Sequence, residues 1–317
     1  MSKVKELLVS PGPHIRSGAS ISLIMYLVVA ALLLPTGASV FYFGFQAVWL
    51  IVACIVSSVI TEFLIKKMRK RPFIMDGSAV ITGLLLALTL PPSLPIWMGV
   101  IGSIFAIAIV KEAFGGLGHN IFNPALGARA FLAVCFPVEM TTWTKPVGFG
   151  ADAVTTATPL NPGFVIDNGM TSIYKDMFLG NTGGSLGETS ALLILIAGLA
   201  LVIFRVIDWR IPLAYIGTVA LFMFAAGEDP LFQILGGGLM IGAFFMATDY
   251  VTSPITWKGR LIFGIGAGIM TSLIRLYGGM NEGVCFSILL MNALTPLIDR
   301  MTKTKPYGLI KKTKSEK

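Results

Sequence analysis

The chain has 317 residues, of which 55% are hydrophobic and 13% charged, and its net charge is +8. Soluble domains carry roughly 25% charged residues, so this composition excludes a soluble globular protein and indicates an integral membrane protein. The positive charge does not indicate nucleic-acid binding, because the basic residues lie between apolar segments, as they do in the cytoplasmic loops of membrane proteins.

The N-terminal segment 1–19 holds basic residues and prolines but no apolar core, so it is predicted to be a cytoplasmic segment and not a signal peptide. Apolar segments follow it along most of the chain, and we predict an all-α integral membrane protein with about ten transmembrane helices, some of them short or broken. The predicted spans are 21–34, 40–65, 78–90, 96–113, 124–136, 189–207, 211–226, 231–248, 261–276 and 283–298.

Two of these spans, 78–90 and 124–136, are too short for an upright crossing, which needs about 20 apolar residues. Broken or half-length helices explain such lengths, and membranes tolerate them where the freed backbone faces protein or a cavity. The alternative is a tilted span whose ends lie elsewhere.

The distribution of basic residues predicts the orientation. If the N-terminus is cytoplasmic, all but four of the 24 basic residues fall in cytoplasmic segments, including the tail 299–317. Both termini are then inside, and the polar loop 137–188 lies on the outer side. The four exceptions are Arg129, Lys145, Lys175 and Arg275.

An internal repeat divides the spans into two sets. Residues of the third span recur in the same order and spacing in the eighth, and the matches are Gly83, Thr89, Pro95 and Ile96 with Gly242, Thr248, Pro254 and Ile255. The predicted repeats are 20–136 and 189–298, with five spans each. Because this number is odd, the two copies are predicted to be inverted across the membrane, as in many transporters.

The loop 152–160 is threonine-rich and fits neither a helical nor a strand pattern, so we predict an extended, exposed loop. Its residues resemble Asp-x-x-Ser/Thr-Gly-Ala-Thr, the acceptor site of bacterial flavin transferases, which join FMN to the last threonine as a phosphoester. Asp152, Thr155 and Ala157 match this pattern, and Thr158 is the acceptor. Thr156 replaces the glycine and leaves a second candidate hydroxyl. The other interpretation is a polar turn with local hydrogen bonds.

Several further segments extend the resemblance over nearly the whole chain. They are 122–125, 187–190, 247–254, 283–286 and 297–299, in addition to the threonine loop. Together they resemble the RnfD/NqrB family of membrane subunits, and the short N-terminal segment favours the Rnf branch. This resemblance implies an electron-relay subunit, without catalytic residues of its own, in a bacterial inner-membrane complex that couples ferredoxin:NAD electron transfer to Na⁺ or H⁺ translocation.

The resemblance also implies cofactors and partners. Covalent FMN on Thr158 is expected, and the homologous quinone reductase leaves open a second, non-covalent flavin such as riboflavin. The expected partners are the other Rnf subunits, among them the FMN-bearing G-type subunit, a flavin transferase for maturation, and membrane lipid. Arg129, Lys145 and the glycine-rich segment 180–185 are candidates for the phosphate end of the flavin.

Ion translocation requires polar groups at membrane depth, where ionisable side chains are usually functional. The candidates are Glu62, Glu112, Asp249 and Arg275, and we place Asp249 and Glu112 on the ion pathway. Solvated span ends are the alternative explanation. No metal or iron–sulfur site is predicted, because the three cysteines lie far apart and no C-x-x-C motif occurs.

The sequence leaves two other functions open. Ten spans in inverted halves are also compatible with a small-solute channel or permease of the urea-transporter type, which needs neither a flavin nor an acceptor threonine. A purely structural scaffold subunit would leave the threonine loop unexplained.

Overall fold

The structure is a computed structural model that describes residues 20–146, 155–156, 158–160, 170–188, 190–279 and 283–304. Helices make up most of these residues, and the sheet found among them is a single pair of two-residue strands. The predicted all-α class is confirmed.

The first half of the chain contains five helical segments. They are α1 (Ile21–Phe43), α2 (Phe45–Met68), α3 (Ser78–Leu88), α4 (Ile96–Phe105) continued by the π-helix π1 (Ala106–Glu112), and α5 (Pro124–Cys135). Local signals set their ends: the Ser20 hydroxyl accepts the N–H of Leu23 at the start of α1, and the Asn123 side chain caps α5 just before Pro124.

A polar connection and the second half follow. The connection contains α6 (Pro137–Thr141), β1 (Trp143–Thr144), β2 (Thr155–Thr156), α7 (Met170–Leu179) and a 3₁₀ turn (Leu186–Glu188). The second half contains α8 (Ala191–Ile203), α9 (Arg210–Ala226), α10 (Pro230–Leu235), α11 (Leu239–Ile241), the π-helix π2 (Gly242–Met246), α12 (Trp257–Tyr277) and α13 (Val284–Thr302).

Four of the described helices, α1, α2, α12 and α13, are long and apolar enough to cross a membrane. The predicted end of the first span at residue 34 is wrong, because α1 continues through Pro35 to Phe43. Hydroxyl groups satisfy backbone carbonyls near this proline: Thr36 donates to Leu32 and Ser39 donates to Pro35. Gly44, with a φ of 67°, then separates α1 from α2.

The third and fifth spans are short helices, as predicted. α3 has 11 residues and is buried over nearly its whole length, so its freed ends face protein. The eighth predicted span, 231–248, is wrong as a single helix, because the chain breaks at Gly236–Gly238 between α10 and α11. Gly237 and Gly238 adopt φ values of 65° and 67°, which glycine reaches without steric penalty.

The two short central helices, one from each half of the chain, run in opposite directions. The end of α3 lies at the 3₁₀ turn, where the N–H of Leu186 donates to the Leu90 carbonyl. The start of α11 lies at the same turn, since Gly238 approaches Glu188. Conversely, the start of α3 and the end of π2 line one cavity at the other end of these helices. α3 and the segment formed by α11 and π2 thus run antiparallel, as the predicted inversion requires of this pair.

Glycines allow close helix packing in both halves. A Cβ built on Gly83 of α3 would lie 2.6 Å from the Cys54 carbonyl oxygen of α2. On α12, a Cβ on Gly264 would lie 2.8 Å from the Ala214 Cβ of α9. Small residues permit such backbone approach, which is how membrane helices associate without a hydrophobic driving force between them.

Candidate functional site

The threonine loop is held at its start by a short antiparallel ladder. Thr155 pairs with Thr144 and Thr156 pairs with Trp143. Thr158 follows and is buried, with 7% of its surface exposed. Thr155 and Thr156 are extended, as predicted, but they form a strand with β1, which the sequence pattern did not indicate. The prediction of exposure is wrong for Thr158, which is buried.

The loop is held at its other end by Leu160. A Cβ built on Gly237 would lie 2.4 Å from the Leu160 Cδ1 atom, and one on Gly236 would lie 3.2 Å from its Cγ atom. Leu160 therefore packs directly on the break between α10 and α11, and only glycine leaves room for it there. Thr158, the predicted acceptor, lies between these two anchored points.

The side chains of Glu188 and Arg275 lie against the break between α10 and α11. We call these two residues, together with Gly236 and Gly237, the Arg275 cluster. The Arg275 guanidinium donates to the backbone carbonyls of Gln233, Gly236 (3.0 Å) and Gly237 (3.4 Å). These bonds satisfy carbonyls that the broken helix would otherwise leave unpaired in an apolar environment. The charges of Glu188 and Arg275 also act on each other within this cluster.

The remaining predicted flavin-site residues differ in position. Arg129, on α5, is half-buried and interacts electrostatically with Glu188, which brings it to the Arg275 cluster. Lys145 is exposed just after β1, outside that cluster. Asp152 and Ala157 lie outside the described residues, and only the backbones of Thr155 and Thr156 are described. In the segment 180–185, Gly184 lies against Glu188.

A cavity of about 90 Å³ lies between the two halves. Its walls come from α1, α3, α8 and π2, together with the start of α5. A single water needs roughly 10–15 Å³ measured in this way, so the cavity can hold several waters or a hydrated ion. Its polar lining residues are Ser78, Thr82, Lys111, Asn120, Asn123, Thr248, Asp249 and Tyr250.

Asp249 is half-buried at the edge of this cavity, where the chain leaves π2. Its carboxylate accepts the Thr252 hydroxyl at 3.1 Å and the N–H of Val251 at 3.4 Å. The charge of Lys111, across the cavity, also acts on it. The structure thus brings Asp249 to a space that water can enter.

Glu112 does not line the cavity. It is buried at the end of π1, and Arg69 approaches its Oε2 atom at 3.5 Å. The neighbouring Lys111 does face the cavity and forms part of what we call the Lys111 cluster: Glu62, Lys66, Ser78 and Lys111. The Lys111 ammonium donates to Glu62 (3.1 Å) and to the Ser78 hydroxyl (2.7 Å), and Lys66 approaches Glu62 at 2.5 Å.

Sequence reasoning missed part of both clusters. It assigned Lys111 to a cytoplasmic segment, whereas the structure buries this side chain to 2% exposure. It also gave Glu188 and the three glycines after Leu235 no role. The signals were present: Lys111 directly follows an uninterrupted apolar run, and three successive glycines inside an apolar segment indicate a helix break.

Comparison with known proteins decides the family. The model of the NQR2, RnfD, RnfE family matches residues 8–308. The chain belongs to this family. The D-type subunit of the proton-translocating ferredoxin:NAD(+) oxidoreductase complex of Clostridium ljungdahlii is 50% identical over 316 residues, covering 95% of this chain and 96% of that protein.

Two further members of the NQR2, RnfD, RnfE family are similar over nearly their full length. The D-type subunit of the Na(+)-translocating ferredoxin:NAD(+) oxidoreductase complex of Acetobacterium woodii is 49% identical, with 98% of each chain covered. The D-type subunit of the ion-translocating oxidoreductase complex of Stutzerimonas stutzeri is 42% identical, with 92% of this chain and 93% of that protein covered. Family membership and the apolar helices identify a multi-pass membrane protein.

The Arg275 cluster, on which Leu160 packs, carries positive charge of the sign that a flavin phosphate requires. Arg129 and Arg275 lie near Glu188, which leaves one surplus positive charge to balance a phosphodiester.

Proposed function

We propose that this protein is a membrane electron-relay subunit of an Rnf-type complex that couples ferredoxin:NAD electron transfer to ion translocation. Full-length similarity to three D-type subunits of such complexes supports this proposal. The relatives from Clostridium and Acetobacterium are named for different ions at nearly equal identity, so overall similarity does not distinguish H⁺ from Na⁺. The proposal places the protein in the bacterial inner membrane, with both termini cytoplasmic.

The proposal assigns covalent FMN to Thr158 through a phosphoester. A bound flavin can exchange electrons one at a time or in pairs. It can therefore connect carriers of single electrons with carriers of electron pairs. Within this chain, the Thr158 hydroxyl anchors the group, while the β1–β2 ladder and Leu160 fix where the anchor lies. The observation that carries this assignment is the fixation of Thr158 between two anchored points, because electron transfer requires a cofactor held at constant distance.

Ion translocation in this proposal uses the cavity between the halves. Asp249 supplies a carboxylate at its edge, and Lys111 faces it from π1. Its volume of about 90 Å³ is sufficient for an ion with several waters.

The remaining parts of the proposal concern the surroundings of the chain. The threonine loop lies on the outer side, and electrons pass between this protein and other subunits of the complex, including the FMN-bearing G-type subunit. A flavin transferase modifies the loop. Exposed apolar side chains on α1 and α2, such as Phe41, Phe45 and Trp49, provide surface for lipid or for neighbouring membrane subunits.

The test is flavin fluorescence of the denatured chain on a gel, followed by mass mapping of its peptides. The chain is produced in cells that express a flavin transferase. We expect FMN on a peptide containing Thr158, its loss in Thr158→Ala, and its retention in Thr156→Ala. Thr158→Ser is the matched control, because it keeps a hydroxyl at the same position.

Two outcomes would contradict this assignment. Flavin that persists in Thr158→Ala but disappears in Thr156→Ala would make Thr156 the acceptor. A wild-type chain without flavin, from cells in which the transferase modifies another protein, would remove the covalent redox role and favour the permease alternative.

A further inference from the structure

A second cavity, of about 460 Å³, opens beside the turn between α8 and α9. It is five times larger than the cavity between the halves and is lined mainly by a different set of side chains. Its charged and aromatic lining residues are Arg205, Asp208, Trp209, Arg210, Tyr250 and Arg260. Neither the electron-relay proposal nor the ion pathway uses this cavity.

The lining carries an excess of positive charge. Asp208 accepts hydrogen bonds from the guanidinium groups of Arg210 at 3.0 Å and Arg260 at 2.5 Å, and from the backbone N–H of Arg210. Partial burial opposes ionisation, but these bonds hold the pKa of Asp208 below its ordinary value, so it is ionised at neutral pH. One carboxylate against three guanidinium groups leaves two positive charges.

Arg205 occupies a backbone position that favours glycine. It follows the end of α8 with a φ of 55°, the N–H of Val206 donates to the Leu201 carbonyl, and its own N–H donates to Val202. This is the Schellman arrangement, whose left-handed residue is usually glycine because a Cβ is unfavourable there. Among the described residues Arg205 makes no side-chain hydrogen bond or ion pair, so no contact among them accounts for an arginine at this backbone position.

The surroundings of the cavity are apolar and exposed. Ile203 and Phe204 are 76% and 69% exposed at the end of α8, and Trp209 is 52% exposed with the Arg210 guanidinium 5.5 Å from its ring centroid. Tryptophan beside arginine is typical of the level at which a membrane meets water, and basic pockets between helices at that level bind anionic lipid headgroups.

We propose that this cavity binds the phosphate headgroup of an anionic phospholipid. Arg205 supplies a guanidinium for the phosphate oxygens, Arg210 and Arg260 add positive charge, and Asp208 holds these two arginines in place. The acyl chains lie along the exposed surface of Ile203 and Phe204. A concave basic site bordered by exposed apolar side chains matches an amphiphile, in which the charged group and the apolar chains are joined.

The test measures thermal unfolding of the delipidated full-length chain in detergent, with and without phosphatidylglycerol. We expect the lipid to raise the Tm of the wild-type chain and phosphatidylcholine to leave it unchanged. In Arg205→Gly, glycine relieves the left-handed conformation, so the Tm without lipid stays equal or rises. The affinity for phosphatidylglycerol falls about tenfold, which is what one lost charge-assisted hydrogen bond costs.

Lys70→Gly is the matched control. Lys70 follows α2 with a φ of 56° in the same Schellman arrangement, since the N–H of Arg71 donates to the Lys66 carbonyl. It does not line the cavity. This variant should gain the same backbone relief and keep the wild-type response to phosphatidylglycerol.

Four outcomes would overturn the proposal. Arg205→Gly could respond to phosphatidylglycerol as the wild type does, or both glycine variants could lose the response equally. Inorganic phosphate could reproduce the full shift, which would assign the cavity to free phosphate. A non-covalent flavin released on denaturation from the wild type but absent from Arg205→Gly would assign it to that flavin.

Discussion

Each half of the molecule holds a cation near the end of its fourth span, buried in the first half and half-buried in the second, and the two cations have different partners. In the first half, the Lys111 ammonium is neutralised by Glu62 and borders the cavity between the halves. In the second half, the Arg275 guanidinium bonds backbone carbonyls of a broken helix, and the charge of Glu188 acts on it from the 3₁₀ turn.

The chemistry of the two cations fits this difference. An ammonium is a compact point charge with three donors, suited to a carboxylate and a hydroxyl on either side. A guanidinium is a planar fork that can bridge several carbonyls at fixed geometry. The comparison teaches that the first half holds its cation beside a water-accessible space, whereas the second half uses its cation to shape the backbone on which Leu160 packs.

Removal of the Arg275 guanidinium should have the largest effect. In Arg275→Met, the carbonyls of Gly236 and Gly237 lose their donors and Glu188 loses a compensating charge, so we expect destabilisation of about 4 kcal/mol. The amount of flavin bound to Thr158 should fall together with the stability, because Leu160 packs on the backbone of Gly236 and Gly237. Thermal unfolding and in-gel fluorescence measure the two effects. Arg275→Lys is the control, and an ammonium should restore the charge but not the flavin content.

Removal of the Lys111 ammonium should have a smaller effect on stability. Lys111→Met leaves the Glu62 carboxylate with Lys66 at 2.5 Å, so we expect a loss of about 2–3 kcal/mol, below that for an unpaired buried charge. The double variant Glu62→Gln/Lys111→Met should lose less than the sum of the two single variants, because it removes both charges together. Flavin on Thr158 should remain. Loss of flavin in Lys111→Met would show that the two clusters do not have separate roles.

Much of this architecture could be predicted from the sequence. Each predicted span contains helix in the structure, because apolar runs of the right length have few alternatives in a membrane. The matches of Gly83 and Thr89 with Gly242 and Thr248 predicted a repeat, and the short helices that carry them, α3 and the α11–π2 segment, run antiparallel. Boundaries were less predictable: the first span was predicted to end at residue 34, but α1 continues through Pro35, where the Thr36 and Ser39 hydroxyls donate to nearby backbone carbonyls.

The site was less predictable than the fold, because its parts come from distant segments. The pattern at Thr158 predicted an acceptor but could not show that Leu160 packs on Gly237, or that Arg275 holds that glycine. Counting charges by segment placed Lys111 at the surface, since sequence alone does not reveal that Glu62 lies beside it. Contacts between segments decide such cases.

Gly237 and Gly77 precede the short helices α11 and α3, and both have a left-handed backbone conformation. Their alanine variants can therefore be compared directly. In Gly237→Ala, a methyl group would meet Leu160 and Arg275 at 2.4 and 2.6 Å in a left-handed backbone, so we expect a loss of about 1–3 kcal/mol and less flavin on Thr158. Gly77, which begins α3 with a φ of 86°, is the matched control. A Cβ there would lie 3.3 Å from Met25, so Gly77→Ala should show the backbone penalty of about 1 kcal/mol without the flavin loss. Equal flavin content in both variants would show that the glycine break does not position the threonine loop for flavin attachment.

Asp249→Asn should change stability least, by less than about 1 kcal/mol, because the amide has nearly the same shape and Asp249 is only half-buried. It removes a negative charge from the cavity that Lys111 faces, so Na⁺- or H⁺-coupled transport in membrane vesicles should fall while flavin content stays constant. Thr252→Ala is the matched variant, since it removes the hydrogen bond to Asp249 and keeps the carboxylate. Transport that falls in Asp249→Asn but largely persists in Thr252→Ala would assign the effect to charge. Unchanged transport in Asp249→Asn would remove this residue from the pathway and leave the Lys111 cluster as a structural feature of the first repeat.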